Sequence, residues 1–179
     1  MRRGLQLDET EPIDPRKAAA HRGIEVRSAD TLLPRSRLQE LDRIQPGCFS
    51  ACTFRPTADR VVIVFNPLNA KTRQKSDVAH ELAHVLLDHR LSRLERLGDT
   101  SFLLCDAAQE EEANWLTGCL LLPRAFLLDA ARRGMSPASI AGECGVSEQL
   151  AQWRVNVTGV RRQAGRPRAA RAQRSLGKR

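Results

Sequence analysis

The chain has 179 residues, of which 41% are hydrophobic and 28% are charged, values that are ordinary for a folded globular domain. No apolar run approaches the roughly 18 residues of a membrane-spanning helix, which excludes that class of protein. The net charge is +8, but residues 161–179 hold eight basic side chains and no acidic one, so the first 160 residues are neutral overall. The basic surplus therefore does not indicate a DNA-binding face on the folded part.

Two features indicate the cytoplasm. The N-terminal residues carry charges but lack the apolar stretch of a secretory signal. The chain has five cysteines, an odd number, and no second Cys or His pair lies at zinc spacing. These observations favour reduced thiols. We therefore expect a cytoplasmic protein with no membrane partner.

Turn and capping residues divide the first part of the chain into short elements. Asp14 and Pro15 are typical of a helix N-cap and first helical position, and Pro46-Gly47 is a typical turn. The run VVIVF is the most strand-like stretch, because β-branched residues dominate it. These signals predict helices at 15–21 and 32–41 and strands at 24–26, 48–54 and 60–65.

Longer helices are predicted in the second part. Residues 76–91 give the strongest prediction, since their apolar side chains fall on one helical face. A break at 98–100 precedes a second strong helix at 106–122, which ends before Pro123. Shorter helices are predicted at 124–133, 136–145 and 147–157.

The order of these elements predicts an α+β fold. A small, mostly antiparallel sheet from residues 24–65 packs on the two strong helices, and a helical segment at 124–158 follows that resembles a helix-turn-helix. Residues 1–160 form the predicted domain. Residues 161–179 are low in complexity and carry like charges, so they are predicted to be a disordered basic tail.

Residues 80–84 read His-Glu-Leu-Ala-His, the H-E-x-x-H pattern. Positions i and i+4 share a helical face, so His80 and His84 can both reach one metal ion. Glu81 projects beside that ion, where it can hold and deprotonate a water molecule. The pattern therefore predicts a zinc site with two histidine ligands and Glu81 as the catalytic residue.

A catalytic zinc commonly takes a third protein ligand and leaves one position for water. Residues 109–114 contain three consecutive glutamates, of which only one can face the ion, because they point in different directions around a helix. Asn114 shares a face with Glu110 and can orient a ligand, and the small Ala113 permits a close approach of two helices. These positions favour Glu110 as the third ligand, with Glu111 as the alternative.

The segments HELAHVLLDH at 80–89 and QEEEANWLTGCLLLP at 109–123 resemble the ImmA/IrrE family of metallo-endopeptidases, a gluzincin-type group. That family pairs H-E-x-x-H with a downstream E-x-x-A-N-x-[FW]-x-x-x-x-L-L-x-P pattern, and the resemblance covers about residues 12–158. Thr117 and Gly118 depart from it, since the family often has Ala or a similar small residue there. The resemblance implies metal ligation by His80, His84 and Glu110, catalysis by Glu81, and a supporting role for Asn114.

The resemblance also implies hydrolysis of a peptide bond. Zinc lowers the pKa of a water molecule and polarises the scissile carbonyl, while Glu81 carries the proton to the leaving amine. The VVIVF strand is expected to offer an edge to an extended substrate. The chain has no tyrosine, so His89 or an arginine is the remaining candidate for stabilising the oxyanion. Members of the family typically cleave a helix-turn-helix transcriptional repressor, which makes such a repressor the expected partner.

Two other interpretations stay open. The helices within 136–157 resemble a helix-turn-helix with Gln149, Gln152 and Arg154 on the second helix, as in a DNA-binding or protein-interaction regulator. Such a regulator can hold zinc without proteolytic turnover. The tail 161–179 can contact nucleic-acid phosphates weakly and without sequence specificity.

Overall fold

A computed structural model describes residues 2–57, 59–90 and 106–165 of the chain, together with the backbone of two strands at 93–97 and 100–104. In chain order, the elements of these residues are α1 (Pro15–His21), β1 (Glu25–Ser28), a 3-10 turn (Ala29–Thr31), α2 (Arg35–Ile44), β2 (Ala51–Thr57), β3 (Arg60–Phe65), α3 (Lys71–Leu86), β4 (Arg93–Leu97), β5 (Thr100–Leu104), α4 (Ala107–Leu121), α5 (Arg124–Arg132), α6 (Pro137–Cys144), α7 (Glu148–Thr158) and α8 (Val160–Ala164).

The predicted α+β class is confirmed, but the sheet is mixed rather than mostly antiparallel. Its strand order is β1-β3-β2; β1 pairs with β3 in parallel and β2 pairs with β3 antiparallel. The parallel pair arises because α2 lies between β1 and the β2–β3 hairpin, so the chain crosses over before it returns to the sheet.

The VVIVF run is the centre of the sheet, and the expectation that it offers a free edge is wrong. Ile63 packs with Leu82 of α3 on one face, while Val62 and Val64 pack with Leu38 of α2 on the other. Burial on both faces explains why β3 reads as a continuous apolar run instead of an alternating one. In the described part of the chain, the strand with an unpaired outer edge beside α3 is β2.

The helices after α4 form a second core around Leu121, Leu127, Ile140, Val155 and Val160, all of which are buried. Ala79 of α3 joins the same cluster, while Leu120 of α4 joins the core under the sheet. The two strong helices therefore lie between the sheet and the C-terminal helices. Among the described residues, no helix combines the length and apolarity that a bilayer crossing requires.

Side-chain caps fix several helix starts where the sequence predicts them. Asp14, Asp106, Ser136 and Ser147 each accept a backbone N–H from the first turn of the helix that follows, which satisfies donors that the helix itself leaves open. Gly145 ends α6 with a φ of 60°, a left-handed conformation that glycine adopts without strain.

Other boundaries differ from the prediction. Helix α3 spans Lys71–Leu86 rather than 76–91, because the chain turns sharply after Leu87. Helix α8 spans Val160–Ala164, so the first residues of the predicted basic tail are helical. The rest of that tail, from residue 166, and most of the predicted break at 98–100 lie outside the described residues. Strands β4 and β5 pair antiparallel and are not among the predicted elements.

Candidate metal centre

Helices α3 and α4 pack directly on one another through small side chains. Ala79 and Ala83 of α3 and Ala113 of α4 are each fully buried. Alanine at these positions lets the two helix backbones approach closely. The approach brings the histidines of α3 within reach of the acidic first turns of α4.

His80, His84 and Glu110 meet at one point between the two helices. The Nε2 atoms of His80 and His84 are 3.0 Å apart. Glu110 Oε2 lies 3.1 Å from His80 Nε2, and Glu110 Oε1 lies 3.4 Å from His84 Nε2. The side chains are 25%, 12% and 36% exposed in that order, so the cluster is open to solvent on one side.

These distances fit a metal ion. A tetrahedral zinc ion with bonds of about 2.0–2.2 Å to nitrogen and oxygen places its ligand atoms about 3.3–3.5 Å apart. The observed separations of 3.0–3.4 Å are close to that value, and two imidazoles with one carboxylate are a common donor set for such an ion. The three side chains can therefore hold one divalent metal ion.

The His84 ring has electrostatics that suit a ligand. Burial is the main cause that lowers the pKa of His84, and the nearby His80 ring lowers it further, while Glu110 acts in the opposite direction. A lowered pKa keeps the imidazole neutral near pH 7, and the neutral ring is the form that binds metal.

Glu81 lies beside the cluster, and a residue of the sheet holds its side chain. Its Oε2 atom accepts a hydrogen bond from the Thr53 hydroxyl of β2 at 2.7 Å. Burial raises the pKa of Glu81 above the usual range, and the hydrogen bond from Thr53 partly opposes that rise. A carboxylate with a raised pKa is a stronger proton acceptor, which suits a general base near neutral pH.

A cleft of about 1230 Å³ opens beside the cluster, lined by α3, α4 and the start of α7. His80 and Glu110 contribute to its wall, and Trp115, Leu150 and Trp153 give it an apolar part. Since Leu150 and Trp153 belong to α7, the C-terminal helices complete the cleft.

Two of the residues singled out from the sequence lie in this cleft rather than at the cluster. Glu111 and Asn114 line the cleft, and Glu111 is not among the side chains that converge on the metal position. Within the described residues, no hydrogen bond joins the Asn114 side chain to His80, His84 or Glu110. A supporting role for Asn114 stays a prediction.

The chain matches the family model of peptidase M78, the IrrE N-terminal-like domain, over residues 19–156. It belongs to this family. No curated protein and no solved structure matches the chain significantly. Membership of a metallopeptidase family agrees with three side chains that can hold a metal between α3 and α4.

The family resemblance has one departure that the structure explains. A Cβ added at Gly118 would lie 2.5 Å from Arg154 Cδ and 2.7 Å from Trp153 Cζ3, closer than real Cβ contacts allow. Glycine therefore leaves room on α4 for the Arg154 and Trp153 side chains of α7. In this chain of the M78 family, a buried arginine occupies the space where a larger residue 118 would extend.

That packing also bears on the helix-turn-helix interpretation. Arg154 is only 2% exposed, and its guanidinium donates to the carbonyl oxygen of Leu122. Gln149 lines the cleft beside the metal position. Of the three candidate DNA-reading side chains of α7, Arg154 is therefore turned into the protein, while Gln149 is exposed at the cleft.

Sequence reasoning misses two contacts at the site. Thr53 is 28 positions from Glu81, and no pattern in a single sequence signals a pair formed between a strand and a helix so far apart. Helical spacing places His89 off the ligand face of α3, yet its ring contacts the His84 ring. His89 therefore contacts Nδ1 of His84, while the other ring nitrogen of His84 converges on the metal position, and a role for His89 in stabilising an oxyanion stays a prediction.

Proposed function

We propose that the protein is a zinc-dependent endopeptidase that cleaves a helix-turn-helix transcriptional repressor and thereby relieves repression. The observation that carries the peptidase proposal is the convergence of His80, His84 and Glu110, with Glu81 beside them, at the edge of an open cleft. The repressor as substrate is supported by the resemblance to ImmA/IrrE peptidases. We also propose that the protein acts in the cytoplasm, where such a repressor binds DNA.

Zinc would be held by His80, His84 and Glu110, and when bound it supplies Lewis acidity that activates water and polarises a carbonyl. Glu81 holds the attacking water by its carboxylate and accepts a proton from it. The same carboxylate then delivers the proton to the leaving amine nitrogen. Thr53 keeps the Glu81 side chain in place for both steps through its hydrogen bond.

The substrate would bind as an extended peptide. Strand β2 is the outer strand of the sheet on the side of Thr53, so a peptide added to its free edge would lie next to Glu81. Strand addition uses main-chain hydrogen bonds and places few demands on the peptide sequence. Trp115, Leu150 and Trp153 of the cleft would then contact apolar side chains of the substrate.

The first test is metal content after purification and reconstitution with zinc. We expect about one zinc ion per chain in the wild type and much less in His84→Ala and Glu110→Ala. Glu111→Ala is the matched control, since it removes a neighbouring acid that does not converge on the cluster, and it should keep the metal. A wild type without zinc after reconstitution would contradict the proposal.

The second test is cleavage of a purified helix-turn-helix repressor from the same organism. The zinc-loaded wild type should cut it into defined fragments, and Glu81→Gln should leave it intact. Zinc binding without cleavage of this or any other protein would favour the alternative, a regulator that keeps the metal site but has no turnover. Specific DNA binding by the chain would favour the helix-turn-helix interpretation, which the burial of Arg154 disfavours.

A further inference from the structure

The end of α3 folds back on its last turn. Asp88 has a φ of 53°, and the N–H groups of Asp88 and His89 donate to the carbonyl oxygens of Val85 and His84. This is the hydrogen-bond pattern of a Schellman motif, in which the second residue past the helix contacts the residue five positions earlier. The motif brings the His89 side chain against His84.

A chain of side-chain contacts runs from the metal position through His84 to α4. His89 Nδ1 lies 3.1 Å from His84 Nδ1, and His89 Nε2 lies 3.1 Å from Glu112 Oε2. The His89 side chain is 6% exposed, while that of Glu112 is 65% exposed. A buried imidazole therefore links a proposed metal ligand to a carboxylate at the surface.

One arrangement of protons satisfies every atom in this chain. If His84 Nε2 is a ligand, its proton is on Nδ1 and can be donated to His89 Nδ1. His89 then carries its own proton on Nε2, which is donated to the Glu112 carboxylate. The opposite arrangement would place two N–H groups against each other at His84 and His89. Glu112 therefore selects the His89 tautomer that accepts from His84.

We propose that His89 is a positioning residue that fixes the ring orientation and tautomer of His84, with Glu112 fixing His89 in turn. The proposal rests on the metal site of the proposed function. Outer partners of this kind typically contribute about 10- to 100-fold to metal affinity. The glutamate triplet on α4 then has two separate uses, because Glu110 faces the metal position and Glu112 faces His89.

The test is zinc affinity, measured on the full chain by competition with a chromophoric chelator at one pH, without any substrate. His89→Leu removes the acceptor at similar volume, and we expect zinc binding to weaken about 10- to 100-fold. His89→Asn keeps an oxygen where the Nδ1 acceptor lies, and it should recover most of that loss. His21→Asn, on the exposed end of α1, is the control for loss of a histidine and should bind as the wild type does.

The rescue by asparagine separates positioning from packing, because leucine fills the buried space better than asparagine does. Equal loss in both variants, or wild-type affinity in His89→Leu, would overturn the proposal. Should His89→Leu fail to fold, Glu112→Ala changes only an exposed side chain, and it should weaken zinc binding at least about threefold. Glu111→Ala is its matched control for charge, and an equal effect in the two would also overturn the proposal.

The two proposals fail in different ways. A wild-type chain that binds no zinc contradicts the proposed function itself. A wild type that binds tightly, with variants at His89 and Glu112 that bind equally tightly, contradicts only the positioning role.

Discussion

Glu81 is the residue at which metal binding and turnover can be separated. It lies beside the cluster but is not one of its three converging side chains, and it is held by Thr53. Glu81→Gln keeps the size and the hydrogen bond but cannot accept a proton. We expect unchanged zinc content and a loss of about 100- to 10,000-fold in the rate of peptide hydrolysis. Retained hydrolysis in a zinc-loaded Glu81→Gln protein would contradict the role of Glu81 as the base.

Gly118 is the residue that makes room on α4 for two side chains of α7. An added Cβ would overlap the buried Arg154 side chain and the Trp153 ring, so Gly118→Ala should lower the free energy of unfolding by about 1–3 kcal/mol. Gly142, within α6, has nothing within 4 Å of its added Cβ, and Gly142→Ala should raise that free energy by about 0.5–1 kcal/mol. Urea unfolding of the two variants checks both signs, and equal effects would show that the close packing is absent.

At the scale of elements, the end of α3 depends on one residue in a left-handed conformation. Asp88 has a φ of 53°, and its exposed contact with Arg55 at 3.7 Å contributes little. Asp88→Gly should therefore stabilise the protein by about 0.5–1 kcal/mol. Asp88→Val should destabilise it by about 1–2 kcal/mol, since a β-branched side chain is strained there.

Thermal unfolding checks the two Asp88 variants, and zinc affinity gives a second readout. Because the same turn places His89 against His84, the valine variant should also bind zinc more weakly, and the glycine variant should not. If both variants bind zinc equally, the turn does not influence the metal site.

The same region shows why some elements follow from the sequence and others do not. The predicted bounds of α4 agree with the structure to within one residue, because Asp106 and Pro123 are local signals that act on their own neighbours. The end of α3 is missed because Asp88 stands where a glycine usually marks the stop. The H-E-x-x-H pattern is likewise local, and it identifies His80, Glu81 and His84 as the residues of interest. Thr53 and His89 are not identified in this way. The Thr53 contact depends on how a strand packs on a helix, and the His89 contact depends on a turn that lacks its usual glycine.

For the whole molecule, the folded part extends beyond the predicted start of the tail at residue 161, because α8 continues to Ala164. Val160 is fully buried in the core of the C-terminal helices, so a chain that ends at Thr158 should lose about 1.5–3 kcal/mol of stability. A chain that ends at Gly165 should keep the wild-type melting temperature and peptidase activity. A drop in melting temperature on removal of 166–179 would contradict this boundary.

The second truncation also tests the tail as a nucleic-acid contact. Residues 166–179 carry six of the basic side chains, and neutralised phosphates make binding strongly dependent on salt. We expect the shorter chain to bind double-stranded DNA more weakly than the wild type at low salt, with a smaller slope of affinity against salt concentration. Identical curves for the two chains would show that the tail does not contact nucleic acid.

The position of the candidate metal centre between two helices has a consequence for the stability of the fold. His80 and Glu110 are 30 positions apart in the chain, so an ion that joins them cross-links α3 and α4 in the folded state and is released when the chain unfolds. Binding to the folded state alone contributes roughly 3–4 kcal/mol when free zinc is about 100 to 1,000 times its dissociation constant. Removal of zinc by a chelator should then lower the melting temperature of the wild type by roughly 6–16 °C. The chelator should change the melting temperature of His84→Ala very little, because that variant lacks a proposed ligand. The supply of metal in the cell would in this way set the lifetime of the protein against degradation as well as its activity.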